Sequence, residues 1–275
     1  MRALAILMML CATAAADCPD DMMADLKALS SKELDGRAPG TDGDVKARAL
    51  VVDRMKCLGL DPQVQTFDKT ANVIGTLKGT SDEIVIVSAH LDHLGNGHLG
   101  ANDDASGVAA LLHIAAQIKN PTRTIVFAAF GDEESGMVGS HYFAKHPLVD
   151  LDHVVQFVEL DMVGSYASAD LVAAMGAFKG FGSRAVLDKR LKEFPKLHVS
   201  AGGKARGSDF EPFCELGVPY VFFWTPDHRC YHETCDTFDR IDQKHMIEIV
   251  KLATAFVQDL ADTDTTLRTK KGCGV

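Results

Sequence analysis

The sequence has little positive charge and no long apolar run after its first residues. Its 28 lysines and arginines are outnumbered by 38 aspartates and glutamates, which gives a formal net charge of −10 at pH 7. This balance argues against the basic surface that binds DNA, RNA or anionic lipid. No segment approaches about 18 consecutive apolar residues, the length that crosses a membrane. We therefore expect neither a nucleic-acid partner nor a membrane partner.

The first 16 residues have the pattern of a secretory signal peptide. Arg2 is followed by an apolar run over residues 3–10 and by small residues that end at Ala16. This pattern predicts export with cleavage after Ala16, and hence a secreted or periplasmic protein. The remaining residues, 17–275, are enough to bury one sizeable core. We therefore expect a single domain and a monomer.

The cysteine content agrees with an exported protein. Of the 7 cysteines, Cys11 lies in the signal segment, and the other six form an even number suited to disulfides in an oxidising compartment. Six cysteines allow 15 pairings. The sequence favours only one of them, Cys230 with Cys235, because the two residues are close.

Strand patterns alternate with helix patterns along the chain. Apolar spacing predicts helices over residues 43–59, 106–119, 134–145 and 242–260. In the first of these, Val45, Ala49, Val52 and Met55 recur at helical spacing. Runs of β-branched and aromatic residues predict strands over residues 72–77, 84–87, 124–130, 154–158 and 220–223. This alternation predicts an α/β fold, a three-layer α/β/α sandwich around a mostly parallel mixed sheet.

Candidate ligands follow four of these predicted strands. Open α/β sheets bind their ligands at the carboxyl ends of the strands. We therefore expect these side chains to meet at one edge of the sheet. They are His90 and Asp92 after residues 84–87, Glu133 and Glu134 after residues 124–130, Asp161 after residues 154–158, and His232 after residues 220–223.

An acidic pair, Asp103 and Asp104, precedes the predicted helix over residues 106–119. One interpretation is helix capping, for which Asp is favoured. The other is metal binding, since histidine and carboxylate ligands without a thiolate suit a catalytic zinc site. Two histidines and three carboxylates are too many for one zinc ion and suit two ions that share a carboxylate and a water. Of the adjacent Glu133 and Glu134, one would then bind metal and the other would take the proton of the water.

Five short motifs carry these residues in a fixed order. They are SAHLDH at residues 88–93, NDDASG at 102–107, GDEESG at 131–136, ELDMVG at 159–164 and YHETCDT at 231–237. The ordered set resembles the M28 family of zinc metallopeptidases over residues 29–260. The resemblance implies a zinc-aminopeptidase-like fold and a single peptidase catalytic domain over residues 17–275.

The resemblance also assigns roles to individual residues. It implies two Zn²⁺ ions, with His90 and Asp161 on one, Glu134 and His232 on the other, and Asp103 bridging. Glu133 matches the general base. Asp92 matches the carboxylate that orients the His90 ring. Tyr231 occupies the position of a tyrosine that bonds the scissile carbonyl, although a structural role is the alternative.

Two local features qualify this resemblance. Ser208-Asp209 resembles a further family motif, but Phe210 stands where histidine is common. Cys230 and Cys235 could bind zinc instead of forming a disulfide. We favour the disulfide, because five oxygen and nitrogen ligands already complete the metal pair.

The predicted function is aminopeptidase hydrolysis of the N-terminal bond of peptides with a free N-terminus, through a metal-bridging water activated by Glu133. A glutaminyl cyclase-like transferase is an alternative that uses a single zinc, and the presence of both His90 and Asp103 favours the two-metal hydrolase. A carboxypeptidase is another alternative, since such enzymes share the metal motifs. A catalytically inactive binding protein is disfavoured, because every metal and base position is intact.

Overall fold

A computed structural model describes residues 18–227, 229–268 and Cys273. The predicted signal segment, residues 1–16, lies outside the described residues. The described strands are β1 (Gln63–Phe67), β2 (Thr70–Leu77), β3 (Ser81–His90), β4 (Arg123–Phe130), β5 (Val154–Leu160), β6 (Val172–Met175), β7 (Val199–Ala201) and β8 (Tyr220–Trp224). The helices are α1 (Met22–Leu29), α2 (Asp42–Cys57), α3 (Ser106–Gln117), α4 (Val138–Lys145), α5 (Gly182–Leu191), α6 (Glu211–Glu215) and α7 (Gln243–Asp262).

The strands form one mixed sheet in the order β1-β2-β4-β3-β5-β8-β6-β7. Its four central strands, β4, β3, β5 and β8, are parallel to one another. Strands β1, β2 and β4 pair antiparallel, as do β8 and β6. The carboxyl ends of the four central strands therefore lie along one edge of the sheet.

Helices cover both faces of this sheet. Because side chains alternate along a strand, β4 contributes to two separate apolar clusters. Ile125, Phe127 and Ala129 join a cluster with α1, α2, α3, α5 and α7, whereas Val126, Ala128 and Phe130 join one with α4 and α6. The predicted three-layer α/β/α sandwich is thus confirmed. Among the described residues, no helix is both long enough and apolar enough to span a membrane.

The structure corrects two details of the predicted helices. Helix α4 begins at Val138 rather than at residue 134, because the backbone turns where Gly136 and Met137 both have positive φ. Helix α2 lies where it was predicted, but of the four residues on its predicted apolar face only Met55 is fully buried. Val45 is 55% exposed, and the buried apolar residues are Ala47, Val51 and Met55.

Candidate active site

The predicted site residues meet at the edge where the central strands end. His90 is the last residue of β3, Asp161 directly follows β5, and the other residues lie in the loops that follow. All of them except Asp92 line a cavity of about 430 Å³. The lining includes His90, Asp103, Glu133, Glu134, Asp161, Tyr231 and His232. The expectation that four strands deliver these side chains to one edge is met.

Asp103 lies at the centre of the cluster between two histidines. Its Oδ1 is 3.1 Å from Nε2 of His90, and its Oδ2 is 3.3 Å from Nε2 of His232. Burial alone would raise the pKa of the Asp103 carboxyl, but the imidazoles of His232 and His90 outweigh it and hold that pKa below its usual value. The two oxygens of one carboxylate therefore face two different imidazoles.

A further carboxylate accompanies each histidine. Asp161 Oδ1 is 3.5 Å from His90 Nε2, and Glu134 Oε2 is 2.9 Å from His232 Nε2. The cluster thus has two halves that share Asp103. One half contains His90 and Asp161, and the other contains Glu134 with the two imidazoles of His232 and His93. The sequence resemblance implies the same grouping for His90, Asp161, Glu134 and His232, and His93 is an additional imidazole beside Glu134.

The chemistry of these donors fits zinc. Oδ2 of Asp103 and Oδ1 of Asp161 are buried without a well-formed hydrogen bond to any described residue. A buried carboxylate oxygen without a partner is costly unless a cation completes it. Nitrogen and oxygen donors without a thiolate are the ligands of catalytic zinc. The cluster is therefore suited to bind Zn²⁺ at both halves.

The acidic pair Asp103-Asp104 divides into two roles. Asp104 accepts hydrogen bonds from the backbone N–H of Gly107 (2.8 Å), Met162 (3.0 Å) and His90 (3.2 Å). It caps the first turn of α3 and joins that turn to the ends of β3 and β5. Asp103 faces the imidazoles instead. The capping interpretation therefore fits Asp104, and the metal interpretation fits Asp103.

The Asp92 carboxylate contacts the glutamate pair more closely than it contacts His90. Its two oxygens accept hydrogen bonds from the backbone N–H of Glu133 (2.9 Å) and Glu134 (3.2 Å). The His90 ring is held by the main-chain oxygen of Asp92, 3.1 Å from Nδ1, whereas the nearest carboxylate oxygen is 3.9 Å away. Asp92 thus fixes the turn that presents the glutamates and orients His90 through its backbone.

The general-base candidate, Glu133, lies among other carboxyl groups. Burial, followed by the charges of Asp209 and Asp161, raises the pKa of Glu133 to about 10, although His90 opposes the shift. Cations bound beside Glu133 would bring this pKa down toward the range in which a base works at neutral pH. The environment of Glu133 therefore suits a proton acceptor whose basicity depends on nearby metal.

His93 is a further imidazole of the site, outside the predicted set of metal ligands. It is fully buried, and its Nδ1 lies 2.7 Å from Oε1 of Glu134. The contact holds the glutamate oxygen that points away from His232. Its position in the motif at residues 88–93 was the available signal.

The motif containing Ser208 contacts the carboxylates of the cluster on the side away from the cavity. Ser208 Oγ lies 2.9 Å from Asp161 Oδ2 and 2.8 Å from Glu159 Oε1. Phe210 is buried and stacks on the Tyr220 ring at 4.0 Å between centroids. The position at which histidine is common therefore belongs to the apolar core in this chain, and Ser208 supplies the polar contact.

The loop that carries His232 is fixed at several points. Its backbone has a φ of 58° at His232, and the Asp236 carboxylate accepts hydrogen bonds from Asn102 N (2.8 Å) and Asp103 N (3.0 Å). The predicted disulfide between Cys230 and Cys235 is present. The disulfides Cys18–Cys57 and Cys214–Cys273, which the sequence did not predict, are present as well.

Tyr231 lies at the open side of the cavity. Its side chain is 51% exposed, and its ring stacks on the His232 ring at 3.9 Å. Partial burial, with Asp103 and Glu134 nearby, raises the pKa of Tyr231 to about 12. Tyr231 therefore keeps its proton at neutral pH and can donate a hydrogen bond into the cavity.

Removing the Cys230–Cys235 disulfide with the double variant C230S/C235S should weaken zinc binding. The bond closes a short loop with a sequence separation of 5, so the loss of unfolding free energy should be about 2 kcal/mol. The freed loop also carries His232. Competition with a chromophoric chelator would measure the zinc affinity. The control is C18S/C57S, which removes a disulfide outside the cavity lining and should leave the zinc affinity unchanged. If C230S/C235S binds zinc as tightly as C18S/C57S does, the prediction is wrong.

Comparison with known families identifies the class of this chain. The model of the family described as peptidase family M28 matches residues 72–257, more than half of the sequence. The chain belongs to peptidase family M28. Aminopeptidase Y of Saccharomyces cerevisiae is 28% identical over 236 residues, which cover 78% of this chain and 43% of that protein. Leupeptin-inactivating enzyme 1 of Streptomyces exfoliatus is 24% identical over 274 residues, 84% of this chain and 60% of that protein.

The chain spans about half the length of the curated relatives it matches. Among solved structures, BSAP, a zinc aminopeptidase from Bacillus subtilis, superposes with a TM-score of 0.79 at 17% identity over 94% of this chain and 99% of that chain. A glutaminyl cyclase from Porphyromonas gingivalis superposes with a TM-score of 0.74 at 22% identity over 89% of this chain and 100% of that chain. These two likenesses show a shared fold.

Proposed function

We propose that this chain is a dinuclear zinc aminopeptidase that hydrolyses the N-terminal bond of peptides. The observation that carries the proposal is the position of Asp103, whose two carboxylate oxygens each face a different histidine, 3.1 and 3.3 Å away. One zinc ion would be held by His90 and Asp161 and the other by Glu134 and His232, with Asp103 between them. The relatives named as aminopeptidases support this choice of reaction.

The proposed roles of the side chains follow from their places around the cavity. When bound, the two zinc ions polarise the scissile carbonyl and acidify the attacking water. Glu133 accepts the proton of that water and passes it to the leaving amine. Asp92 holds the backbone of Glu133 in place. Tyr231 donates its hydroxyl proton toward the carbonyl oxygen, where negative charge develops.

We also propose that residues 17–275 form a single catalytic domain that is exported and works as a monomer. The three disulfides support export, because such bonds persist in oxidising compartments. The signal segment at residues 1–16 accounts for export to the periplasm or the medium. Peptides with a free N-terminus would be the substrates, with their amine held among the cavity carboxylates.

One part of the cavity wall beyond the metal cluster is apolar, although Arg206 and Asp227 also line the cavity, and this apolar part predicts the preferred substrate. Met162, Met175, Phe222 and Trp224 line it. Fitting a large apolar side chain there is favourable by about 1 to 3 kcal/mol, or about 10- to 200-fold in kcat/KM. We therefore expect leucyl- and phenylalanyl-p-nitroanilides to be hydrolysed at least about 10-fold better than the alanyl compound.

The test is p-nitroaniline release from this panel by the mature protein, before and after chelation. Release that stops on chelation and returns with zinc would support the aminopeptidase. No release from folded protein with two zinc ions would contradict it. In that case, cleavage of a peptide with a free C-terminus would favour a carboxypeptidase. Cyclisation of an N-terminal glutamine would favour a cyclase, and the absence of both reactions would favour a binding protein.

A further inference from the structure

Arg37 is a fully buried cation in the segment before the family-matching residues 72–257. Its guanidinium donates four hydrogen bonds to main-chain carbonyl oxygens. Nε donates to Leu91 O (2.6 Å), and Nη1 donates to Leu29 O (2.7 Å) and Leu99 O (2.8 Å). Nη2 donates to Gly100 O (3.0 Å). One side chain therefore holds together three segments, at Leu29, at Leu91 and at Leu99–Gly100, and the last two lie 54 to 63 residues from Arg37 in the sequence.

Two of these three segments carry candidate metal ligands. Leu91 lies between His90 and Asp92, and Gly100 precedes Asp103 by three residues. The Arg37 guanidinium thus fixes the distance between the end of β3 and the segment that leads into α3. His90 and Asp103 are the two ligands whose separation depends most directly on this distance.

The backbone around Arg37 is packed against the same loop. Gly36 has a φ of 71°, and a Cβ at this position would collide with the backbone of His98 and Gly95. The Asp35 carboxylate accepts a hydrogen bond from Gly97 N at 2.7 Å. The whole of Asp35–Arg37 is therefore docked on the loop between the two ligand-bearing segments.

Carboxyl groups surround the buried guanidinium. Burial lowers the pKa of Arg37, and the charges of Asp104, Asp92, Asp236 and Asp103, all behind or within the metal cluster, oppose that shift. The planar guanidinium donates hydrogen bonds to several carbonyl oxygens at fixed angles. A lysine ammonium on a flexible stem cannot donate the same set of hydrogen bonds.

We propose that Arg37 is a positioning residue for the metal site, which holds the Leu91 and Leu99–Gly100 segments at the spacing that two zinc ions require. The proposal rests on the proposed function, because it assumes that the cluster binds zinc. It makes the segment before residue 72 part of the active site. It also explains why an arginine is buried where its neighbours are carbonyls.

The test compares R37K with R123K. Arg123 is a matched control, since it too is buried and donates to main-chain oxygens, those of Leu260 (2.7 Å) and Thr263 (2.6 Å). It lies at the start of β4, at the opposite edge of the sheet from the cluster. Both variants should lower the melting temperature. Only R37K should also raise the zinc dissociation constant, by about 10- to 100-fold.

Zinc affinity is measured by competition with a chromophoric chelator, in the absence of any substrate. If R37K and R123K lose stability alike and both retain the natural zinc affinity, Arg37 is only structural and the proposal is wrong. If the natural protein itself binds no zinc, the proposed metal site has failed instead. The two failures are therefore distinguishable.

A measurement on the natural protein covers the case in which R37K does not fold. Coupling between two sites is reciprocal, so zinc binding should stabilise the contacts of Arg37 if those contacts position the ligands. Amide hydrogen exchange at residues 34–38 and 91–100 should slow on zinc addition, whereas exchange at residues 260–265, which contact Arg123, should not change. Unchanged exchange at residues 34–38 would overturn the proposal.

Discussion

Replacing Glu133 with Gln should lower kcat by about 10²- to 10⁴-fold while both zinc ions remain bound. Glutamine has nearly the shape of glutamate, and the Glu133 backbone N–H that bonds Asp92 at 2.9 Å is unaffected by the change. What the variant loses is the proton acceptor. KM should change little, because Glu133 is proposed to act on the water and not to hold the peptide.

The measurement is steady-state hydrolysis of leucyl-p-nitroanilide together with zinc content by metal analysis. Glu215→Gln is the matched control, because Glu215 is exposed on α6 and away from the cavity. A Glu133→Gln enzyme with nearly natural kcat and two zinc ions would show that another group accepts the proton. Loss of zinc in the same variant would mean that Glu133 is a ligand, which would reverse the roles proposed for Glu133 and Glu134.

The positions of the site residues could be predicted because they depend on strand periodicity and strand ends. The apolar runs that form β3, β4, β5 and β8 are long, and the carboxyl ends of parallel strands lie at the same edge of the sheet. The positions of His90 and Asp161 at that edge could therefore be predicted from the sequence alone. The short strands at the other end of the sheet were missed, since β7 has only three residues and carries no periodicity.

The second layer of the site could not be predicted in the same way. Arg37 reaches Leu91 and Gly100 across 54 and 63 residues of sequence. His93 reaches Glu134 across 41 residues. Contacts of this kind depend on how complete elements pack. The motif at residues 88–93 indicated His93 but not its partner, and no motif indicated Arg37. Local spacing alone also left capping and metal binding open for Asp103 and Asp104, and it was the family resemblance that assigned Asp103 to the metals.

Replacing Asp103 with Asn should abolish two-metal binding and lower kcat/KM by at least about 10³-fold, which corresponds to about 4 kcal/mol. Asp103 is the only proposed ligand shared by both halves of the cluster. An amide has one acceptor oxygen, and its nitrogen would face either His90 or His232 in place of an anionic oxygen. The lost negative charge also leaves two adjacent cations less well neutralised. Metal analysis after dialysis should therefore find fewer than two zinc ions per chain.

The folded state should survive this change, which separates it from a variant that merely unfolds. The backbone N–H of residue 103 still donates to Asp236, at 3.0 Å in the natural protein, so the loop keeps its anchor. The variant does lose the imidazole contacts that hold the pKa of the Asp103 carboxyl below its usual value in the metal-free protein. The melting temperature measured in chelator at neutral pH should thus fall modestly, while added zinc should raise it less than in the natural protein. Asp170→Asn, at a residue with a 69% exposed side chain, should alter neither quantity. Two firmly bound zinc ions in Asp103→Asn would exclude the bridging role and leave the aminopeptidase proposal dependent on a different ligand set.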